Sequence, residues 1–160
     1  FHSISAFNNA GFSLFPKNLY ENGVSQSFNV HIVIMILIFL GGIGFTTLED
    51  FYNIFLDRKK WKNLWKYVKI GSKIALKTSL WLIVAGTVLF LYAEWENVLS
   101  GQIFREKVIT ALFQSITTRT AGFNTVDMTA LTQPVLIFFI FLVSIVLFRI
   151  TTLLSSMPID

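Results

Sequence analysis

Three long apolar runs punctuate the chain. Phe28 to Leu48 (FNVHIVIMILIFLGGIGFTTL) runs 21 residues without a formal charge. Ile74 to Ala93 runs 20 residues with only Lys77, and Pro134 to Leu154 runs 21 with only Arg149. About 20 apolar residues at helical rise cross a hydrocarbon core of roughly 30 Å, so each run predicts a membrane-spanning helix. Three such runs in one short chain argue against buried helices of a soluble core. Pro134, just after Thr132 and Gln133, suits a helix start, with Thr132 as the candidate N-cap. A fourth apolar stripe is shorter. Val108, Ile109, Leu112, Phe113 and Ile116 repeat at helical spacing within Arg105 to Thr118. About 14 residues span roughly 21 Å as a helix, too little to cross.

Composition agrees with this pattern. Only 14% of the 160 residues are charged and 54% are hydrophobic, with 17 Phe. The mean hydropathy is +0.64, which excludes a disordered tail and leaves too few charges for a soluble surface. The absence of cysteine excludes disulfides and thiolate chemistry, and two His without clustered ligands give zinc no support. No catalytic residue, cofactor or bound metal is expected, because no nucleophile–base pair, paired intramembrane carboxylates or clustered metal ligands appear. The chain opens on Phe without a signal pattern, which reads as an internal fragment of a longer protein.

The net charge of +4 is local. Arg58, Lys59, Lys60, Lys62, Lys66, Lys69, Lys73 and Lys77 make eight of the thirteen basic residues, all between the first two runs or just inside the second. The positive-inside rule places this connection, residues 57–73, in the cytoplasm. Trp61, Trp65 and Tyr67 among the lysines suit a helix at headgroup level, in contact with lipid. The flanking spans explain the basic charge, so no nucleic-acid partner is expected. Residues 1–27 and 94–133 then lie outside.

Those two outer segments repeat. Phe1, Ser3 and Ile4 match Phe113, Ser115 and Ile116 at an offset of 112, and Ala10, Gly11 and Phe12 match Ala121, Gly122 and Phe123 at 111. One residue is therefore gapped between them. Each copy is a short helix running into a polar, Gly-containing stretch and then an apolar span, and internal repeats are expected in transporter folds. The residues themselves leave two readings open. One is a surface loop with a helical turn. The other is a re-entrant loop whose freed carbonyls replace water around a cation, with Gly11 and Gly122 turning the backbone.

NNAGFS at Asn8 to Ser13, GGIGF at Gly41 to Phe45 and TTRTAGFNT at Thr117 to Thr125 resemble the Trk/Ktr/HKT superfamily of potassium transporters, most of all bacterial Ktr-type pore subunits. The resemblance implies an all-α membrane protein built from four helix–pore-loop–helix units, each giving one strand of a potassium-channel-like filter. This chain would cover parts of two units. Residues 1–56 would hold the end of the second pore helix, its filter and an inner transmembrane helix. Residues 57–73 would be the basic linker, and 74–160 the third unit with outer helix, pore helix, filter and inner helix. The family's filter backbone maps to Asn9, Ala10, Gly11, Phe12 and Ser13, and to Thr120, Ala121, Gly122, Phe123 and Asn124. The resemblance implies K+ uptake through a carbonyl-lined filter in the plasma membrane, with Na+ as the candidate coupling ion. A homodimer of the full-length protein and a cytosolic nucleotide-binding regulatory subunit are also implied. The alternative is a non-conducting membrane scaffold or coupling subunit.

Other features have no part in the two filter strands. Gly41, Gly42 and Gly44 serve close packing or a hinge, packing being the plainer reading. His31 is expected at the interface, and Arg119 as a structural anchor reaching a carboxylate. From Val143 to Asp160 the chain has no glycine where the family has a Gly-rich gate loop in its third inner helix. A snorkelling Arg149 or a frame shift near residue 142 would each account for this tail, and no gate is assigned here.

Overall fold

The computed structural model describes residues 1–20, 27–56 and 64–155, with side chains described except at 45–46, 64–65 and 146–155. Among the described residues there are helices and no strands. In chain order they are α1 (His2–Phe7), α2 (Phe28–Ile43), α3 (Phe45–Leu56), α4 (Leu64–Tyr67), α5 (Ile70–Glu94), α6 (Phe104–Thr120) and α7 (Gln133–Ser155). Short 3-10 turns lie at Asn18–Tyr20 and Met128–Ala130.

The shorter amphipathic helix sits at the centre. α6 packs against α2, α5 and α7, while α1 lies on α2. Ala111, Phe113, Gln114, Ser115, Ile116 and Thr117 of α6 are all buried, although the long apolar helices around it leave large faces open. Tyr92 is 86% exposed and Trp81 73%. That is inverted relative to a soluble bundle, and it suits helices whose outer faces meet lipid or further protein. Gly86 allows the tight α5–α6 crossing, because a β-carbon there would collide with the Ser115 hydroxyl. That hydroxyl donates to the Ile83 carbonyl at 2.9 Å. Phe90 and Phe139 stack in parallel at 5.9 Å and join α5 to α7.

The three expected spans meet different outcomes. α5, with 25 residues, is long and apolar enough to cross. α7 is a shorter apolar helix over Gln133–Ile145, the stretch over which its side chains are described. The continuous span expected over Phe28–Leu48 is broken. α2 stops at Ile43, Gly44 takes φ 92 and ψ 150, and the chain leaves with a bend of 99°. That backbone region is essentially open to glycine alone. The basic connection is described from residue 64 onward; 57–63, with Arg58, Lys59, Lys60, Trp61 and Lys62, lies outside the described residues.

α3 is tied to the start of α5. Asp50 is buried, accepts from the Ser72 hydroxyl at 2.6 Å, and pairs with exposed Lys69 at 2.9 Å. Burial works to raise the Asp50 carboxyl, but the Ser72 and Lys69 hydrogen bonds and the Lys69 charge outweigh it and hold the group below the usual aspartate range. A carboxyl depressed in the folded state adds stability above its unfolded pKa and loses it as pH falls through the folded one. Asp50→Asn is therefore expected to lower the thermal midpoint of the purified protein at pH 7. The difference should shrink progressively below about pH 4. A deficit that stays constant down to pH 3 would dismiss the carboxylate's charge as its cause.

Candidate functional site

The repeat seen in the sequence is also a repeat of hydrogen bonds. In the first copy α1 ends at Phe7, and the Ala10 amide donates to the Ser5 carbonyl at 2.9 Å. The Ser5 hydroxyl donates to the Phe12 carbonyl at 2.9 Å. In the second copy the Ala121 amide donates to the Thr117 carbonyl at 2.9 Å, and the Thr117 hydroxyl to the Phe123 carbonyl at 2.9 Å. Ser5 and Thr117 occupy equivalent positions, as do Phe12 and Phe123. Each helix thus carries a hydroxyl that anchors the loop returning from its own C-terminus. The one-residue gap is absorbed at the end of α1. The extra residue forms the Asn8–Asn9 turn, with Asn9 at φ 54, a region asparagine tolerates.

Gly11 at φ 69 and Gly122 at φ 76 share the left-handed backbone region, so the two loops turn alike. The carbonyls of Ala10, Gly11, Ala121 and Gly122 accept no hydrogen bond among the described residues. Oxygens of this kind, held at the C-terminal end of a helix, are suited to a cation.

The two loops also meet. A β-carbon on Gly11 would collide with the Ala121 carbonyl. Thr120 Oγ1 lies 2.9 Å from the Asn9 carboxamide, across 111 residues, which is the repeat offset itself. His2 accepts from the Leu14 amide at 3.3 Å, bonds Ser13 Oγ at 3.1 Å and stacks on Phe15 at 4.9 Å. Its ring also faces Phe123 at 6.5 Å. Phe123 is fully buried under that contact, whereas its counterpart Phe12 is 70% exposed. Asn124 and Ser13 end the two stretches, both half-buried.

The glycines of the GGIGF stretch divide by role. A β-carbon on Gly41 would strike the Phe7 carbonyl, so this position is where α2 passes the end of α1. Gly42 lies beside Asn9 and Thr120. Gly44 has nothing near it and serves backbone conformation alone.

Two other expectations are corrected. His31 is only 5% exposed, with its ring 5.4 Å from Phe113, because α6 covers this face of α2. Arg119 anchors to a carbonyl and not to a carboxylate, its Nη1 donating to Ser79 O at 3.4 Å on α5. No cluster of three or more His, Cys, Asp or Glu that could hold a metal occurs among the described residues. Sequence reasoning misses Ser5, Thr117 and His2 as partners of the loops. The first two share the offset of 112, and extending the alignment by one hydroxyl pair would find them.

Comparison with known proteins returns one family and several relatives. The family model TrkH, described as a cation transport protein, matches residues 1–147. The chain is 38% identical over 149 residues to the Ktr system potassium uptake protein B of Vibrio alginolyticus, covering 91% of this chain and 30% of that protein. Its identity to the protein of the same name from Bacillus subtilis is 35% over 147 residues, covering 91% and 31%. The potassium/sodium uptake protein NtpJ of Enterococcus hirae is 31% identical over 148 residues, covering 91% and 30%. The chain therefore spans about a third of the length of these relatives.

Proposed function

The chain belongs to the TrkH family of cation transport proteins, and from that premise we propose that the two loop segments are adjacent strands of a K+ selectivity filter. The observation that carries this reading is the contact of the two loops, Asn9 with its equivalent Thr120 and Gly11 with Ala121. Two copies of one loop, turned alike and meeting side by side, are what a ring of such loops around an axis requires. The unpartnered carbonyls of Ala10, Gly11, Ala121 and Gly122 supply main-chain ligands. The Phe12 and Phe123 carbonyls, each accepting from a hydroxyl, set the loop's shape. Asn9, Ser13, Thr120 and Asn124 complete the two strands.

In this reading residues 1–56 and 74–160 belong to successive helix–pore-loop–helix units of a multi-pass plasma-membrane protein. The connection at 57–73 faces the cytoplasm, where its lysines meet anionic lipid. Exposed Phe12 marks where a preceding unit would cover the first strand, as His2 covers Phe123. Two strands make half a ring, so the conducting species is the intact protein. The names of the relatives, two Ktr system potassium uptake proteins and a potassium/sodium uptake protein, favour K+ as cargo and Na+ as the assisting ion. The Ktr system names further favour assembly with other components, of which a cytosolic nucleotide-binding subunit and a homodimeric partner are the proposed ones.

Purified intact protein in liposomes is expected to take up 86Rb+ in competition with K+, with Na+ competing far more weakly. A non-conducting scaffold would give no flux above empty vesicles, and that result would reject the filter.

A further inference from the structure

One orientation of the Asn9 carboxamide satisfies all of its neighbours. Its nitrogen then donates to Thr120 Oγ1 at 2.9 Å and to the Ile38 carbonyl at 3.2 Å, and its oxygen accepts from the Gly42 amide at 3.1 Å. Ile38 and Gly42 are four residues apart in α2, the pair that an uninterrupted helix bonds directly. The side chain of the first loop therefore bridges the α2 ladder, two residues before the break at Gly44. A side chain bonded to both groups of one i→i−4 pair competes with that rung of the ladder, close to where the helix breaks. Gly41 makes room for it, since a β-carbon there would crowd both the Phe7 carbonyl and the Asn9 amide. A single carboxamide thus touches the second loop through Thr120 and the broken end of α2 through Ile38 and Gly42.

We propose that Asn9 is a positioning residue that couples the spacing of the two loop segments to the α2–α3 break. The inference rests on the filter reading and adds a mechanical link to it. An ion that fits between the loops fixes Asn9 against Thr120, and Asn9 in turn fixes the Ile38–Gly42 turn from which α3 departs. By linkage, a change in the direction of α3 alters ion preference to the same extent.

The test uses the intact protein, two variants and two measurements, the K+/Na+ uptake ratio and a label distance. Asn9→Gly removes the carboxamide while tolerating φ 54. Thr120→Val removes only the bond between loops. Spin labels at Ile36 and Tyr52, both exposed on α2 and α3, report the bend. With three hydrogen bonds lost, Asn9→Gly is expected to lower the K+/Na+ uptake ratio about tenfold, and Thr120→Val, with one lost, about threefold. Replacing K+ by Na+ should shift the label distance by about 2 Å in the wild type and by nothing resolvable in Asn9→Gly. A wild-type distance indifferent to the ion, or an Asn9→Gly protein that responds like wild type, overturns the coupling and leaves K+ transport standing. Should Asn9→Gly fail to fold, an unchanged uptake ratio in Thr120→Val overturns it equally. Wild-type protein without K+-selective uptake removes the filter reading and this inference together.

Discussion

Gly11→Ala is expected to abolish K+-selective uptake by the intact protein, whereas Gly122→Ala should leave a reduced but measurable flux. Both glycines occupy the left-handed region, at φ 69 and φ 76. An alanine there costs about 1–2 kcal/mol, worth roughly a five- to thirtyfold loss if the whole cost falls on the conducting arrangement. Gly122 bears that cost alone, since nothing lies within 4 Å of where its β-carbon would stand. At Gly11 the added carbon would strike the Ala121 carbonyl. A backbone oxygen of the neighbouring loop cannot rotate away as a side chain does, so the two strands must part. Ion discrimination depends on the spacing of those strands, and a loss of roughly a hundredfold or more is the expected outcome. Competition of K+ and Na+ against 86Rb+ uptake measures both variants, with detergent-extracted yield as the control for folding. Equal losses in the two variants, or a greater loss at Gly122, would sink the claim that these loops abut along the conduction path.

That contrast is not legible in the sequence, where Gly11 and Gly122 are interchangeable members of one repeat. Much else is. The period, the helix-then-loop form of each copy and the polar, Gly-containing composition of the loops all come from local pattern, and the family comes from the motifs. The stripe of Val108 to Ile116 predicts a short helix, and α6 forms over Phe104–Thr120. What escapes depends on which surfaces meet. Hydropathy sees an unbroken span over Phe28–Leu48, because it scores Gly41, Gly42 and Gly44 as neutral and cannot place Asn9 beside the first two. His31 reads as interfacial by its position near the end of a run, yet α6 buries it. Arg119 takes a carbonyl of α5 as its partner, and no pattern within α6 announces that choice.

Glu94 carries the second large expectation, and it too is a residue whose role pattern alone misreads. By sequence it is one of several acids at the outer mouth of the second span. In the fold it is fully buried. One carboxylate oxygen accepts from the Thr132 amide at 2.9 Å and the Thr132 hydroxyl at 2.7 Å; the other accepts from Asn97 Nδ2 at 2.7 Å. Asn97 in turn reaches the Ala130 carbonyl at 2.7 Å. The carboxylate thus binds the end of α5 to the start of α7, and it engages the hydroxyl of Thr132, the residue that sequence marks as an N-cap. Thr132 still accepts the first helical bonds through its carbonyl, from Val135 at 3.1 Å and Leu136 at 3.3 Å. Glu94→Leu keeps the bulk but removes the acceptor of the half-buried Thr132 amide and hydroxyl and of the Asn97 carboxamide at the site's exposed edge. The cost should be about 3 kcal/mol, set by orphaned donors more than by lost attraction. Glu94→Gln retains an acceptor for Thr132 but turns a donor toward Asn97, and should cost about half as much. Thermal unfolding of the purified intact protein, monitored by intrinsic Trp fluorescence, ranks the three. A Leu variant as stable as wild type would mean that the two helices are held by their apolar contacts, Phe90 on Phe139 foremost, and that the buried carboxylate adds nothing.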